Sequence, residues 1–350
     1  MNFIITLLIL ILVLGIIVFI HELGHFLAAK KIGVYVHEFA IGMGPKIFSF
    51  KRKNDETVYS IRLLPLGGFT ALASDKESGK GLKKEQILEN KTNLQKFFVL
   101  IMGIVFNMIL AVVFLFINGL IYGSPITSPY VGNILEDSPA SKSDLKTGDL
   151  ILKVDGKSVN SWDEVLLETR FGKEHKETYE FLVDRNGTEY SIKISPEYNK
   201  EENGEEVPSF GFASMVKRDK GFIAAVKYGF VGTFKSITSV FSILGKLVTG
   251  KIGANNLSGP IGVYTVIDNI KSKGLENLIY LTAYLSVNVG VINLVPVPVF
   301  DGGRIFILII EAIKGKKANP KLETWLNNIG VILLIALMIY VAINDILKLV

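Results

Sequence analysis

The chain is 350 residues long, 49% of them hydrophobic, with no cysteine and a formal charge of +5, and its mean hydropathy is +0.40. That balance is too apolar for one ordinary soluble domain and fits several membrane spans around a modest soluble module. The missing thiols exclude disulfides and Cys-ligated zinc, so a metal would need His, Asp or Glu. The basic excess lies between apolar segments, where the positive-inside rule explains it without nucleic acid.

Phe3–Ile20 is almost entirely Ile, Leu, Val and Phe, enough at about 1.5 Å per residue to cross most of a hydrocarbon core of roughly 30 Å. It has no charged leader or small-residue cleavage site, and so reads as a retained first span, residues 1–30, and not as a signal peptide. His21-Glu22-Leu23-Gly24-His25 ends this run. On a helix His21 and His25 share a face one turn apart and can reach one zinc ion, with Glu22 beside them to take a proton from water. Ionisable groups at membrane depth cost on the order of a few kcal/mol unless paired or bound, which separates this motif from a chance match. Of the remaining histidines, His37 and His175, the second lies in a Lys- and Glu-rich stretch. A carboxylate near another span is therefore the better candidate for a third ligand.

Lys30–Lys96 holds thirteen Lys or Arg against seven Asp or Glu, which marks residues 31–96 as cytoplasmic. Within it Val34–Phe50 and Val58–Leu72 are rich in β-formers and flank a turn at Lys51–Asp55, with Gly42, Gly44-Pro45 and Pro65-Leu66-Gly67-Gly68 as punctuation. The expectation is a small sheet next to the metal motif, with an edge able to pair with an extended peptide. A plain structured loop is the simpler reading. The second span, residues 97–122, is interrupted by Gly103, Asn107 and Asn118; Asn107 either faces another helix or lines the active-site cavity. Pro125–Pro129 then leads into a soluble module, residues 130–197, of alternating strands and short turns, followed by a charged linker at Asn199–Glu206.

Within residues 207–276, Phe222–Val248 carries Lys227, Lys235 and Lys246 at wide spacing and reads as an amphipathic helix on the membrane surface, with a full span as its competitor. If it does not cross, the third span (residues 277–304, apolar from about Leu278 to Phe300) ends on the cytoplasmic side and brings Asp301 level with His21 and His25. If it crosses, Asp301 lies roughly 30 Å away. The surface helix is the reading that allows a shared metal. Pro296 and Pro298 leave backbone groups unpaired in that span, which is tolerated where the segment is buried in protein or lines a wet cavity. Asp301 is then part of an active-site wall, or else a helix-end carboxylate. Arg304, Lys314, Lys316, Lys317 and Lys321 mark residues 305–328 as cytoplasmic, and Ile329–Ile343 forms a short last span within 329–348.

Two resemblances follow from these motifs. Tyr130-Val131-Gly132-Asn133-Ile134, Ser138-Pro139-Ala140, the Leu145–Gly156 stretch and Trp162-Asp163-Glu164-Val165 resemble a PDZ domain of the bacterial, permuted kind. That likeness implies peptide C-termini taken by strand addition, with the terminal carboxylate held at Tyr130, Val131 and Gly132; a module that only packs or blocks access is the alternative. Nearly all of the chain resembles the bacterial site-2 proteases, the regulated intramembrane zinc metalloproteases of the RseP and RasP type. Six features carry this in order: the His-Glu-x-x-His motif, Gly42-Met43-Gly44-Pro45, Pro65–Phe69, the single PDZ-like module, Ser258-Gly259-Pro260-Ile261-Gly262, and the run from Asn293 to Asp301-Gly302-Gly303.

This second resemblance implies a multi-pass α-helical membrane protein with about four transmembrane helices, a small membrane-associated β-sheet and one inserted PDZ-like α/β domain. One Zn2+ ion would be bound by His21, His25 and Asp301, with Glu22 as general base and acid. Asn293, Pro296, Gly67 and Gly68 would contact substrate, the Val58–Leu72 strand presenting it in extended form. The implied substrates are single-span membrane proteins, such as a membrane-bound anti-sigma factor, or remnant signal peptides; no nucleic-acid partner is expected. Both termini and the PDZ-like module would be extracytoplasmic, the active site facing the cytoplasmic side of the cell membrane. Two departures are visible: Phe300 where the family has Leu, and Ile104 where Pro often follows Gly in the second span. The rivals are a membrane-anchored zinc protease with a cytosolic site and a Glu third ligand, and a PDZ-bearing scaffold or pseudoprotease, for which an intact Glu22 would have no chemical purpose.

Overall fold

The computed structural model describes residues 2–75, 78–126, 128–170, 176–200, 206–215, 217–250 and 258–347. His175 and residues 201–205 of the charged linker lie outside the described residues. In chain order run α1 (Asn2–Lys31), β1 (Val36–Lys51), β2 (Val58–Leu72), α2 (Asn93–Tyr122), β3 (Ser124–Pro125), β4 (Tyr130–Ile134), β5 (Leu150–Val154), β6 (Lys157–Ser158) and α3 (Trp162–Arg170). Then come β7 (Tyr179–Arg185), β8 (Thr188–Ile194), β9 (Glu197–Lys200), β10 (Glu206–Ser209), β11 (Phe212–Met215) and β12 (Arg218–Asp219). The chain closes with α4 (Phe222–Val248), α5 (Pro260–Ile270), α6 (Leu275–Leu294), α7 (Asp301–Lys314) and α8 (Pro320–Leu347). Two compact units divide it, Met1–Asn118 with Ala225–Val350, and Gly119–Ala224.

In the first unit α1, α2, α4, α6 and α8 are, among the described residues, the helices long and apolar enough to cross a membrane; α4 is the least apolar. Phe3, Leu8 and Leu12 of α1 and Ile332 and Leu333 of α8 are all largely exposed, the arrangement of a bundle solvated by lipid. Inward, α1 buries Val13 and Ile17 against Leu110 of α2, while α2, α4 and α6 share Leu115, Val240, Ala283 and Val287. Asn118 donates to the Glu276 carbonyl at 2.7 Å, so α2 ends where α6 begins. The free N–H groups that any helix start exposes explain the Ser258–Gly262 motif: Asp345 of α8 accepts from Gly259 and Gly262 at 2.9 and 2.8 Å. The α5 helix that it caps lies on the first turns of α1, where Thr6 donates to Asp268 at 2.7 Å.

The long strands β1 and β2 fold back on themselves at glycines. Gly42 and Gly67 have φ of 87° and 86°, a region closed to most other residues. As a result Phe39–Ile41 pairs on one side with Gly68–Thr70 and on the other with Tyr59–Ile61. Lys30 pins this sheet to the end of α1, donating to Asp55 at 2.7 Å and to Glu56 at 2.6 Å. The Lys30 ammonium, with the Thr57 amide, holds the Asp55 carboxyl well below the usual carboxylate range.

The second unit is a sheet in the order β11-β4-β5-β7-β8, with β6 on β5, closed over a core of Val131, Ile151, Val154, Phe181 and Val183. Its extent corrects the 130–197 module boundary. The strand β11 pairs with β4, Phe212 opposite Ile134 and Met215 opposite Tyr130, and Phe210 joins the core. Glu197–Lys200 pairs antiparallel with Glu206–Ser209, so the segments on both sides of that charged stretch belong to the unit.

Asp149 is buried in this unit and accepts two bonds from Arg185, both 2.7 Å, and one from the Lys146 amide at 2.9 Å. Burial raises its carboxyl pKa, but the Arg185 and Lys146 bonds outweigh that and leave it below the ordinary range. Such a group contributes stability above its unfolded pKa of about 3.9 and loses it as pH falls through the folded value. Arg185→Met is therefore expected to destabilise the unit by about 1.5–3 kcal/mol at pH 7. The gap to wild type should shrink as pH drops below the carboxylate range. Denaturant titrations followed by Trp162 fluorescence in a Trp325→Phe background read this directly, and equal midpoints at pH 7 would refute it.

Candidate active site

The two histidines of α1 are buried, and their Nε2 atoms lie 3.2 Å apart. Asp301 Oδ2 sits 3.1 Å from His21 Nε2 and 3.2 Å from His25 Nε2, closing a triangle of donors from opposite ends of the sequence. Metal–ligand bonds of about 2.0–2.1 Å at tetrahedral angles separate neighbouring donors by about 3.3 Å, so this triangle has the dimensions of three zinc ligands with a fourth position open. The donor types also fit: two imidazoles and one carboxylate, with no thiol needed. His25 Nδ1–H donates to the Val99 carbonyl at 2.9 Å, which leaves the Nε2 lone pair facing the triangle.

Asp301 reaches this place because α6 stops early. The sequence suggested an apolar span to about Phe300, whereas the helix ends at Leu294; Pro296, lacking an N–H, cannot continue it. A compact turn follows, with the Val297 amide donating to Val295 O at 2.7 Å and Phe300 to Val297 O at 2.9 Å. The chain then re-enters a helix with Asp301 as its first residue, a favourable end for a negative charge. Gly302 and Gly303 allow α7 to fold against that turn, since a Cβ at either would stand 2.3 Å from a carbonyl oxygen, of Leu294 and Val297 respectively.

Of the other residues expected at the site, Gly68 lies against Glu22, a Cβ placed there falling 3.8 Å from Glu22 Cγ. Thr70 Oγ1 donates to the Glu22 carbonyl at 3.1 Å. The Gly68–Leu72 part of β2, one of the two edges of the small sheet, therefore runs beside Glu22, with Gly67 at the bend that starts it. Asn293 is half-buried in the last turn of α6 and Pro296 exposed in the turn that follows, both on the stretch that delivers Asp301. His37 is elsewhere, on the Ser78 carbonyl at 2.8 Å.

Tyr130, Val131 and Gly132 do not form a free carboxylate-binding loop. The Val131 amide donates to Asp149 O at 2.8 Å, its carbonyl accepts from Gly148 at 2.7 Å, and Ser214 pairs with it on the other side. The open groove of the second unit, about 330 Å³, is lined by Trp162, Val165 and Thr169 of α3 and by Phe210 and Phe212.

One stripe of α2 also meets the site, of which the sequence offered Asn107 alone, as either a helix contact or a cavity-lining residue. Val99 holds His25, the Asn107 amide nitrogen lies 3.2 Å from His21 Nδ1, and Gly103 lies between them with both imidazoles against its Cα. Their spacing of four puts all three on one helix face. A glycine and a fully buried Asn one turn apart in an apolar helix were the available signal.

Residues 9–337 match the family model Peptidase family M50. The Bacillus subtilis regulator of sigma-W protease RasP is 32% identical over 99% of both chains. The zinc metalloproteases RasP of Bacillus licheniformis and Geobacillus kaustophilus are 33% and 31% identical, each over 97% of this chain and 98% and 97% of their own. Among solved structures, the PDZ domain of an SdrC-like protein of Listeria innocua is 24% identical and covers 26% of this chain and 97% of its own, with a TM-score of 0.22. Likeness across nearly the full length of both partners settles the relationship: the chain belongs to peptidase family M50 and is an intramembrane zinc metalloendopeptidase of the site-2 protease type.

Proposed function

We propose that His21, His25 and Asp301 hold one zinc ion and that Glu22 moves the protons in hydrolysis of a peptide bond within a substrate's membrane span. The observation that carries this is the closed donor triangle beside Glu22 on an apolar helix. Bound zinc supplies Lewis acidity and lowers the pKa of water toward about 7. Glu22 accepts a proton from the attacking water and returns it to the leaving amine, so it ends as the carboxylate it began as, ready to turn over again. Asn293 and Pro296 line the path of the substrate.

A peptide bond inside an intact helix is already hydrogen-bonded and shielded, so the span must unwind before it is cut. The Gly68–Leu72 edge beside Glu22 offers main-chain partners to the unwound segment by strand addition. Four crossings, with α4 not crossing, are favoured by the contacts of the first unit: α1 and α6 begin, and α2 and α8 end, on one side, and Gly259 after α4 sits on that side at Asp345. The Lys and Arg bias of residues 30–96 and 304–321 makes the opposite side cytoplasmic, leaving the termini and the inserted PDZ-like unit outside. Single-span proteins are the substrates, a membrane-bound anti-sigma factor foremost, since one relative is named a regulator of sigma-W protease; remnant signal peptides are the other class. Peptide C-termini are assigned to the groove between α3 and Phe210–Phe212.

The test uses purified protein in detergent and a single-span model substrate, with and without chelator and with and without a Gly or Pro placed in the substrate span. Chelator should stop cleavage, and the helix breaker should raise its rate several-fold. Cleavage indifferent to substrate helicity would sink the unwinding step, and cleavage indifferent to chelator would sink the metal assignment.

A further inference from the structure

Asn107 is fully buried in α2, anchored at its main chain by Ser286 Oγ, which donates to its carbonyl at 2.9 Å. Its two amide ends are used unequally. Nδ2 lies 3.2 Å from His21 Nδ1, while Oδ1 is buried with no hydrogen-bond partner among the described residues. With the amide this way round, Nδ2–H donates to the Nδ1 lone pair, which puts the imidazole proton on Nε2, where it faces Asp301 Oδ2 at 3.1 Å. That proton placement is consistent without a metal and incompatible with one, because a ligating Nε2 must offer its lone pair.

Once the His21 proton is on Nδ1, it would meet the Nδ2 donor head-on. A half-turn about the last side-chain bond exchanges Oδ1 and Nδ2 with almost no change in shape, and brings the idle acceptor to the Nδ1–H. We propose that Asn107 is the positioning residue for His21, its amide turning over as metal binds so that Oδ1 accepts from Nδ1–H and holds Nε2 toward the triangle. This rests on the metal-site reading above. It completes a symmetrical support, since His25 is already held by the Val99 carbonyl two turns earlier on the same face of α2; His21, with no main-chain carbonyl partner among the described residues, takes a side-chain acceptor instead.

The experiment is zinc affinity of the purified full-length protein at buffered free zinc, for wild type, Asn107→Leu, Asn107→Asp and His21→Ala. Leu fills similar space and cannot accept a hydrogen bond; Asp can only accept. Asn107→Leu should weaken zinc binding about 10–100-fold, Asn107→Asp should stay within a few-fold of wild type, and the metal-free melting temperatures should show that both variants fold. Wild-type affinity in Asn107→Leu would overturn the proposal, as would an Asp variant that falls as far as the Leu variant. A wild type that binds no more zinc than His21→Ala would overturn the metal-site reading itself, and the proposal with it.

Discussion

Glu22→Gln is expected to lower cleavage of a single-span substrate by about 10²–10⁴-fold, the usual contribution of a positioned proton carrier, while zinc content stays at the wild-type level. The amide has the shape of the carboxylate but cannot take a proton from water near neutral pH. The surroundings of residue 22 should not change, because what touches it does not need its charge: Gly68 packs near Cγ and Thr70 bonds its main-chain carbonyl. Nor does the side chain belong to the donor triangle, which consists of His21, His25 and Asp301. Retained zinc with lost cleavage therefore isolates the proton step from metal binding. Undiminished cleavage with zinc in place would mean a different base, and loss of zinc together with activity would mean that Glu22 supports the site and not the reaction.

The parts of this molecule that were legible in its sequence are those whose physics is local. Crossing a hydrocarbon core needs a run of a certain length, and presenting two imidazoles to one ion needs them a helical turn apart; both requirements are met within Phe3–His25 and can be seen there. Asp301 was reachable only through an argument about sides of the membrane, and that argument turned on α4, whose length and modest apolarity suit a span and a surface helix equally. What bears on α4 is a set of long-range contacts, Asn118 with Glu276 and Asp345 with Gly259, which no window of residues contains. The inserted unit repeats the lesson. The PDZ likeness implied a carboxylate-holding loop at Tyr130–Gly132, and the strand that pairs with this segment, β11, lies far along the chain beyond a charged stretch that resembled a boundary.

The same reasoning makes Gly103→Ala a small substitution with a large effect on the site. In an apolar helix a glycine has many innocent explanations, but here an added Cβ would lie 2.5 Å from His25 Nε2, 2.7 Å from His25 Cε1 and 2.9 Å from His21 Cε1, well inside the roughly 3.5–4.0 Å at which carbon atoms rest against each other. Relief by separating α1 from α2 would pull His25 from the Val99 carbonyl. Relief by turning the rings would take both Nε2 atoms away from Asp301. Closer packing elsewhere offers no slack, since Gly24 already lies where a Cβ would stand 2.3 Å from Met102 O. Zinc affinity should fall by at least the 10–100-fold typical of a disturbed ligand shell, and cleavage with it. Gly245→Ala is the control: it lies in α4, where an added Cβ meets nothing within 4 Å, and it should leave zinc binding and cleavage unchanged. Alanine favours a helix over glycine by about 0.5–1 kcal/mol, so neither substitution costs helix propensity, and lost zinc in Gly103→Ala alone traces to the crowding at residue 103. Normal zinc binding in Gly103→Ala would show that the histidines do not hold metal in the arrangement described.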